Sequence, residues 1–488
     1  MTRPPFGFGP GDQPEEPSGG DDPFGLSAMF GGAGGPFGGD MGAVFAQMQR
    51  LMSWSGGPVN WDLATEVATG ATRADDRPVT SAEEREIGDA CRLADLWLDP
   101  VTTLPASGAP PQAWTRTGWV ESTLPAWRSL VDPVAGRVVA AMGTALEQGL
   151  AGGSLGEGLP PEVAGMLGGL GGGGLGGAGG GLGPLRGVMD QVGGFVFGAQ
   201  VGQALGALAQ EVLSSSEIGL PLSNPGRPAL LPGNLAAFSE GLEVPADEVR
   251  LYVCLRELAH QRLFASVPWL KAHLFDAVDA YARGIEVDPS AIERAVGSID
   301  PSDPESMQRA MGEGRFDLEP TAAQQAALAR LETALALVEG WVDQVVDAAC
   351  AGTLPSAAAL RETVRRRRAS GGPAEQTFAT LVGLQLRPRR LREAAALWTA
   401  VAEAGGTAAR DALWAHPDLL PSAEDLDDPA GFVARSAGSA TDWDAGLRDL
   451  DKDLDGTLDD DAAGGPAGED DGPEDDGPED DRPAGSTG

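Results

Sequence analysis

The chain has 488 residues, 71 glycines, 38 prolines and a formal net charge of −38. Three segments have unusual composition: a Gly/Pro/Phe-rich head (1–40), a glycine-rich insert (152–184) and an acidic tail (436–488). We expect these segments to be disordered because they hold too few apolar residues to form a core. The acidic balance argues against nucleic-acid binding, since the negative charge would repel a phosphate backbone.

The remaining segments, 41–151 and 185–435, are long enough to bury a substantial hydrophobic core. Cys91, Cys254 and Cys350 form no CxxC pair, and their odd number fits a reducing compartment better than a disulfide framework. The N-terminus runs into Gly/Pro/Phe-rich sequence and shows no apolar secretory signal. The predicted location is therefore the cytoplasm.

In the first core segment, Ser81 and Glu84 have the spacing of a capping box, with Ser81 as the N-cap residue. This pattern predicts the start of an amphipathic helix. Trp114, Trp119 and Trp127 follow within 14 residues, and we expect all three to pack in the core.

After the glycine-rich insert, residues 191–210 carry no charge, and Gly194, Gly198, Gly202 and Gly206 recur at every fourth position. This spacing gives one helix face without side chains, so a neighbouring backbone can approach closely. Four glutamines and the diluting glycines count against a membrane span. The pattern therefore predicts a buried, tightly packed helix.

The second core segment is almost wholly helical in pattern. Helices are predicted at 247–266, from Pro268 to about Arg283, and at 324–349, 356–369, 374–383 and 388–403. Alternating apolar residues that would indicate a sheet of any size are absent from the sequence. The predicted fold class is therefore mainly α.

Within the predicted helix 247–266, the run from Arg256 through Glu257 to His260 differs at one position from HExxH, the helix motif of zinc peptidases. In that motif two histidines bind zinc from one helix face and the glutamate activates the bound water. Here the first ligand position holds Arg256, whose guanidinium has no lone pair for a metal. The motif is degenerate at a metal ligand.

The predicted helix 324–349 carries two carboxylates close to its apolar stripe. Glu339 falls at the inner edge of this stripe, and Asp343 follows one turn later on the same side. A carboxylate in such a position needs a cation or hydrogen-bond donors. We therefore expect Glu339 and Asp343 to meet positively charged groups.

At several sites the chain resembles a high-GC bacterial family of zinc-dependent metalloproteases, also described as hydrolases associated with deazaflavin-coenzyme biosynthesis. The resemblance rests on segments 59–62, 92–98, 113–116, 218–222, 256–270, 338–343, 365–368 and 414–421. It implies a helical metallopeptidase-like fold, a zinc cofactor and a peptide substrate. Residue by residue, it implies Glu257 as general base and His260 and Glu339 as metal ligands, with Arg256 in the remaining ligand position.

Three interpretations of this site stay open at the level of sequence. Arg256 can supply the positive charge of the missing metal by pairing with Glu339 or Asp343. In the second interpretation, zinc binds with a substitute ligand, for which His273 is a candidate. In the third, His260 is an ordinary core histidine. The corresponding functions are a zinc-dependent hydrolase, or a non-catalytic scaffold or binding protein that takes a peptide or protein partner.

Two weaker signals lie outside this motif. Residues 451–459 match the first nine positions of an EF-hand calcium loop, but Ala462 replaces the bidentate glutamate. The expected structure is a solvated acidic tail that binds no calcium. Basic clusters lie at 365–368 and at Arg387, Arg389 and Arg390. We expect these arginines on solvated helix faces and caps, the alternative being a docking site for the acidic tail, phosphate or RNA.

Overall fold

The computed structural model describes residues 56–151, 183–284, 321–369 and 390–436. Most of these residues are helical. The α-helices are α1 (Trp61–Thr72), α2 (Ser81–Leu98), α3 (Arg116–Ala151), α4 (Gly183–Ala209), α5 (Pro232–Glu240), α6 (Ala246–Ser266), α7 (Pro268–Arg283), α8 (Ala322–Cys350), α9 (Ala357–Ala369) and α10 (Leu391–Ala412). Two short 3-10 helices, Leu413–Ala415 and Pro417–Leu419, follow α10.

The named strands of the described residues are β1 (Gln112–Ala113) and β2 (Ala229–Leu230). They pair in parallel, with Gln112 opposite Ala229 and Ala113 opposite Leu230. The prediction of a mainly α fold is therefore confirmed. The chain divides into two compact units, Met1–Ala430 and Gly431–Gly488, and the first contains all the named elements.

The observed helices α6 to α9 agree closely with those predicted in the second core segment. The helix α5 was not predicted, and α10 differs from its predicted bounds. That helix runs from Leu391 to Ala412, whereas the sequence predicted 388–403. Gly406 adopts a positive φ of 79° inside it, so the chain kinks there and then resumes helical structure. A glycine adopts this conformation without steric cost. The predicted helix ended just before Gly405 and Gly406, so it did not include the turns that follow the kink.

The capping box of α2 lies one residue earlier than predicted. The N-cap residue is Thr80, whose side chain accepts a hydrogen bond from the backbone of Glu83, and Glu83 accepts one in return from the Thr80 backbone. The prediction of Ser81 and Glu84 is therefore wrong by one position. Both pairs have the required spacing, but only Glu83 also binds Arg77, at 2.9 Å, and this extra contact favours the Thr80 box.

The glycine face of α4 packs directly against α1, as the fourfold spacing predicted. A Cβ atom on Gly198 would lie 2.5 Å from the backbone oxygen of Asn60, and one on Gly202 would lie 2.6 Å from Cβ of Val67. Both distances are too short for real carbon contacts, so the packing requires glycine. Among the helices of the described residues, none has the length and apolar content needed to cross a membrane.

The tryptophan cluster is only partly in the core. Trp119 and Trp127 are buried, as predicted, with exposed fractions of 1% and 0%. Trp114 is half-buried instead, because it follows the short strand β1 at the surface, where its indole donates to Gln112 Oε1 at 3.2 Å.

Several predictions concern segments that the structure does not describe. The head, the insert through 182, the predicted helix 374–383, the acidic tail from 437 and its calcium-loop-like run 451–459 all lie outside the described residues. Arg387 and Arg389 also lie outside them.

Candidate functional site

Helix α6 carries the degenerate motif through the interior of the protein. Asp247 and Glu248 lie in its first turn, where negative charge stabilises a helix N-terminus, and Pro268 begins the next helix. Every side chain from Leu251 to Phe264 is buried, so this helix has no solvated face in that stretch. Its charged residues must therefore find partners inside the protein.

The structure brings Arg256, His260 and Glu339 into direct contact. Nη2 of Arg256 lies 2.7 Å from Oε2 of Glu339, and Nε2 of His260 lies 3.0 Å from Oε1 of the same carboxylate. Nη1 of Arg256 lies 3.9 Å from Oδ1 of Asp343, one turn further along α8. His260 also places Nδ1 2.9 Å from the backbone oxygen of Arg256. These four side chains form one buried cluster.

Helix α9 adds two cations that the sequence interpretation placed elsewhere. Nη1 of Arg368 lies 2.7 Å from Oε1 of Glu339, and Nη2 of Arg365 lies 2.6 Å from Oδ2 of Asp343. The expectation of solvated faces is therefore wrong for these two arginines, although Arg366 is 78% exposed. Arg365 and Arg368 are three residues apart, and Glu339 and Asp343 are four residues apart. Residues at these spacings lie on one face of a helix, so the sequence contained a signal that the two pairs could meet.

The electrostatics of this cluster favour the charged forms of Glu339 and Arg256. Burial acts to raise the pKa of Glu339, but Arg368, His260 and Arg256 together hold that pKa well below the usual range. Burial likewise acts to lower the pKa of Arg256, and Glu339 contributes to raising it above its ordinary value. The result is an ion-pair network of three arginines and two carboxylates, which we call the arginine–carboxylate cluster: Arg256, Arg365, Arg368, Glu339 and Asp343.

Glu257 contacts residues outside the arginine–carboxylate cluster. Its side chain is fully buried, with an exposed fraction of 0%. Five donors approach its carboxylate: Ser215 Oγ at 2.5 Å, Ser216 Oγ at 2.5 Å, Ser216 N at 3.1 Å, Ala229 N at 3.2 Å and Gln261 Nε2 at 3.0 Å. These bonds tie α6 to the loop between α4 and β2. Neither serine was predicted from the sequence, although the serine run 214–216 was an available signal.

The same loop covers Glu339. Gly219 has a φ of +80°, and a Cβ atom there would lie 2.6 Å from Oε1 of Glu339. Arg368 also donates to the backbone oxygen of Glu217. The loop therefore contacts Glu257 at one end and the arginine–carboxylate cluster at the other, and it needs glycine where it passes Glu339.

His273, the candidate substitute ligand, lies on α7 and packs edge-on against Trp269 with a centroid separation of 5.6 Å. Burial and Arg330 lower the pKa of this histidine. Its ring partner Trp269 and its charged neighbours Arg330 and Asp276 lie outside the arginine–carboxylate cluster. In the part of the chain that the structure describes, no three His, Cys, Asp or Glu side chains form a group that could hold a metal ion.

The fold is mainly helical, and its buried motif helix faces a glutamate from a later helix. This arrangement is the one expected of a metallopeptidase whose zinc ligands come from an HExxH helix and a later glutamate. A family model described as zincin-like metallopeptidase matches residues 59–433, and the chain belongs to this family. The protein is also similar to a crystal structure of "a putative hydrolase with a novel fold" from Chloroflexus aurantiacus. The two chains are 18% identical, with a TM-score of 0.50 over 77% of this chain and 98% of the other, a likeness that shows the fold. Comparison with curated proteins gave no match.

Proposed function

We propose that this chain is a metal-free, non-catalytic member of the zincin-like family that uses the peptidase-like fold to bind a peptide or protein partner. The observation that carries the proposal is the contact of 2.7 Å between Arg256, at the first ligand position of the motif, and Glu339. A guanidinium is permanently cationic and offers no lone pair to a metal.

The donor set around the motif does not fit a zinc ion. A zinc site in this family type needs two histidines and an acid, whereas here His260 and Glu339 are the remaining donors. The carboxylate of Glu339 already contacts Arg256 and Arg368, both at 2.7 Å. A divalent cation placed beside Glu339 would be repelled by the guanidinium groups of Arg256 and Arg368, because Arg256 and Glu339 are buried and their charges are weakly screened.

The surroundings of Glu257 support the same proposal. A general base needs a carboxylate oxygen within hydrogen-bond reach of the water that it activates. Both oxygens of Glu257 instead accept from Ser215, Ser216 and Gln261, and the side chain is fully buried. In this structure the glutamate acts as a structural link between α6 and the loop that precedes β2.

A binding role needs an accessible surface. Leu93 and Leu96 lie one turn apart on α2 with exposed fractions of 41% and 67%. Adjacent exposed apolar side chains can contribute to a contact surface, so this face is the first place to look for a bound partner.

The second candidate function is a zinc-dependent hydrolase, which membership of the zincin-like family favours. It requires a metal ligand other than Arg256. The association with deazaflavin-coenzyme biosynthesis and the cytoplasmic location stay predictions, because they rest on sequence resemblance and cysteine usage.

The two functions differ in metal content. Purified full-length protein should be exposed to excess Zn²⁺, passed through a desalting column and analysed by elemental mass spectrometry. We expect much less than one zinc per chain for the wild type. The double variant Arg256→His, Arg368→Gln restores the missing ligand and removes a competing cation, so it should retain more zinc. Arg250→His is the matched control, because Arg250 lies on the same helix but pairs with Glu86 near the surface.

Stoichiometric zinc in the wild type, lost on Glu339→Gln, would overturn the proposal and establish the hydrolase. Peptide hydrolysis by the wild type that disappears in Glu257→Gln would have the same consequence. Low zinc in the wild type together with no hydrolysis supports the metal-free protein.

A further inference from the structure

The buried thiols of Cys91 and Cys254 are in contact. Their sulfur atoms lie 3.3 Å apart, although the residues are separated by 163 positions in the chain. Cys91 lies on α2 and Cys254 on α6, two helices that pack along each other. Cys350, the third cysteine, lies at the end of α8 beside Asp347 and Arg361.

This separation is close to that required for a covalent bond. A disulfide has a sulfur–sulfur distance of about 2.05 Å, so the two atoms need to approach by about 1.2 Å. Rotation about the Cα–Cβ bonds is the movement expected to bring the two sulfur atoms together. The cysteines therefore have a geometry in which oxidation would join them more readily than it would join either to Cys350.

We propose that Cys91 and Cys254 are a modification site at which hydrogen peroxide oxidises the two thiols to an intramolecular disulfide. In the first step the Cys91 thiolate attacks one peroxide oxygen, which gives a sulfenic acid and releases water after proton transfer. In the second step Cys254 attacks the sulfenic sulfur, forms the disulfide and releases a second water. Two thiols are oxidised by two electrons, and one hydrogen peroxide is reduced to two waters.

The burial of the two thiols limits which oxidants can reach them and indicates which thiol reacts first. Cys91 is 2% exposed and Cys254 is 0% exposed, so a bulky disulfide reagent cannot reach them as easily as hydrogen peroxide. Burial also raises the pKa of the Cys254 thiol, which disfavours it as the first nucleophile. We therefore assign Cys91, which keeps a small exposed fraction, as the first nucleophile and Cys254 as the thiol that resolves the sulfenic acid.

The bond would fasten the motif helix to α2. Cys254 lies two residues before Arg256 and three before Glu257, on the same buried helix. Oxidation would close a loop that contains more than a third of the chain, which restricts the unfolded state strongly. The oxidised protein should therefore melt at a higher temperature than the reduced protein.

The test uses the folded, full-length protein and hydrogen peroxide. After a timed exposure and catalase treatment, the protein is denatured and its free thiols are counted with a chromogenic disulfide reagent. We expect the count to fall from three to one, with a mass loss of about 2 Da and a non-reducing peptide map that joins Cys91 to Cys254. Dithiothreitol should restore all three thiols.

Three variants provide the controls. Cys350→Ser should still form the bond and fall from two free thiols to none. Cys91→Ser and Cys254→Ser should form no intramolecular bond. Cys254→Ser keeps the first nucleophile and should gain oxygen mass at Cys91, whereas Cys91→Ser should react more slowly. The proposal is overturned if Cys350 is consumed first, if the folded wild type keeps three thiols after prolonged exposure, or if it gains oxygen without a cross-link.

Discussion

Arg256 and Glu339 form a buried ion pair, with Nη2 and Oε2 2.7 Å apart and exposed side-chain fractions of 9% and 1%. Removing one member of such a pair leaves the other charge uncompensated in the interior. We expect Arg256→Met and Glu339→Gln each to lower the free energy of unfolding by about 3 kcal/mol. Urea unfolding followed by circular dichroism measures both values.

The double variant tests whether these two losses share one interaction. Because each substitution removes the same contact, the combined loss should be smaller than the sum by about 1–3 kcal/mol. Arg250→Met, on the same helix but in a partly exposed pair with Glu86, should change stability by about 0.5 kcal/mol or less. Strict additivity of Arg256→Met and Glu339→Gln would contradict a direct ion pair.

The second prediction contrasts two arginines of α9. Arg368 is 15% exposed and binds Glu339, whereas Arg366 is 78% exposed and pairs with Glu362 four residues earlier. Arg368→Gln should therefore cost about 1–3 kcal/mol of unfolding free energy, and Arg366→Gln about 0.5 kcal/mol or less. Thermal melts of the two variants compare them directly. Equal effects would mean that Arg368 is a solvated side chain after all.

The third prediction concerns the close contact between α1 and α4. Gly202→Ala would place a Cβ atom 2.6 Å from Cβ of Val67, so the helices must separate, at a cost of about 1–3 kcal/mol. Gly70→Ala on α1 is the control, because nothing lies within 4 Å of its Cβ position. That substitution should stabilise the protein by about 0.4–1 kcal/mol, since alanine restricts the unfolded chain. Chemical denaturation should show changes of opposite sign.

The fourth prediction distinguishes two registers of the α2 capping box. In the structure the Thr80 side chain accepts from the Glu83 backbone at 3.3 Å. Thr80→Ala should therefore cost about 1 kcal/mol, whereas Ser81→Ala should change stability by only a few tenths. The reverse order in a urea titration would favour the register that the sequence suggested.

The fifth prediction is a pH dependence at Glu83. The hydrogen bond from Arg77 is the main cause that lowers the pKa of Glu83 from 4.5 to about 2. A carboxyl group with a depressed folded-state pKa stabilises the protein above its unfolded value and loses this contribution as the pH falls. At pH 7 the wild type should exceed Glu83→Gln by about 1 kcal/mol, after allowance for solvent screening.

This advantage should shrink between pH 4.5 and 2, where Glu83 takes up its proton. Unfolding curves of both proteins across this range give the difference directly. Glu84→Gln removes the same charge from the first turn without touching the Arg77–Glu83 pair, so it controls for the helix dipole. A difference between wild type and Glu83→Gln that stays constant down to pH 2 would show that the pair contributes nothing.

Much of the helical framework could be predicted because its signals are local. The repeat at Gly198 and Gly202 and the start of α7 at Pro268 depend on neighbours within a few turns. The capping register was missed by one residue because two overlapping pairs had the same spacing. The hydrogen bond from Arg77, which lies outside the box, to Glu83 favours the pair Thr80 and Glu83 over the pair Ser81 and Glu84.

The candidate site was only partly accessible to such reasoning. The sequence singled out Arg256, His260 and Glu339, since a known motif is degenerate there and a carboxylate adjoins an apolar stripe. It did not predict the contacts of Ser215 with Glu257 and of Gly219 with Glu339, because both residues belong to a loop without periodicity. Nothing in a loop sequence indicates which buried carboxylate its donors will reach.

By itself, the sequence determined that the chain is mainly helical and that the first ligand position holds an arginine, because helical periodicity and residue chemistry are properties of the chain. Only the tertiary structure decided which charges meet. Arg365 and Arg368 contact Asp343 and Glu339 because α9 lies against α8 in one particular rotation and translation. Such an arrangement depends on the packing of whole helices, which a local pattern does not encode.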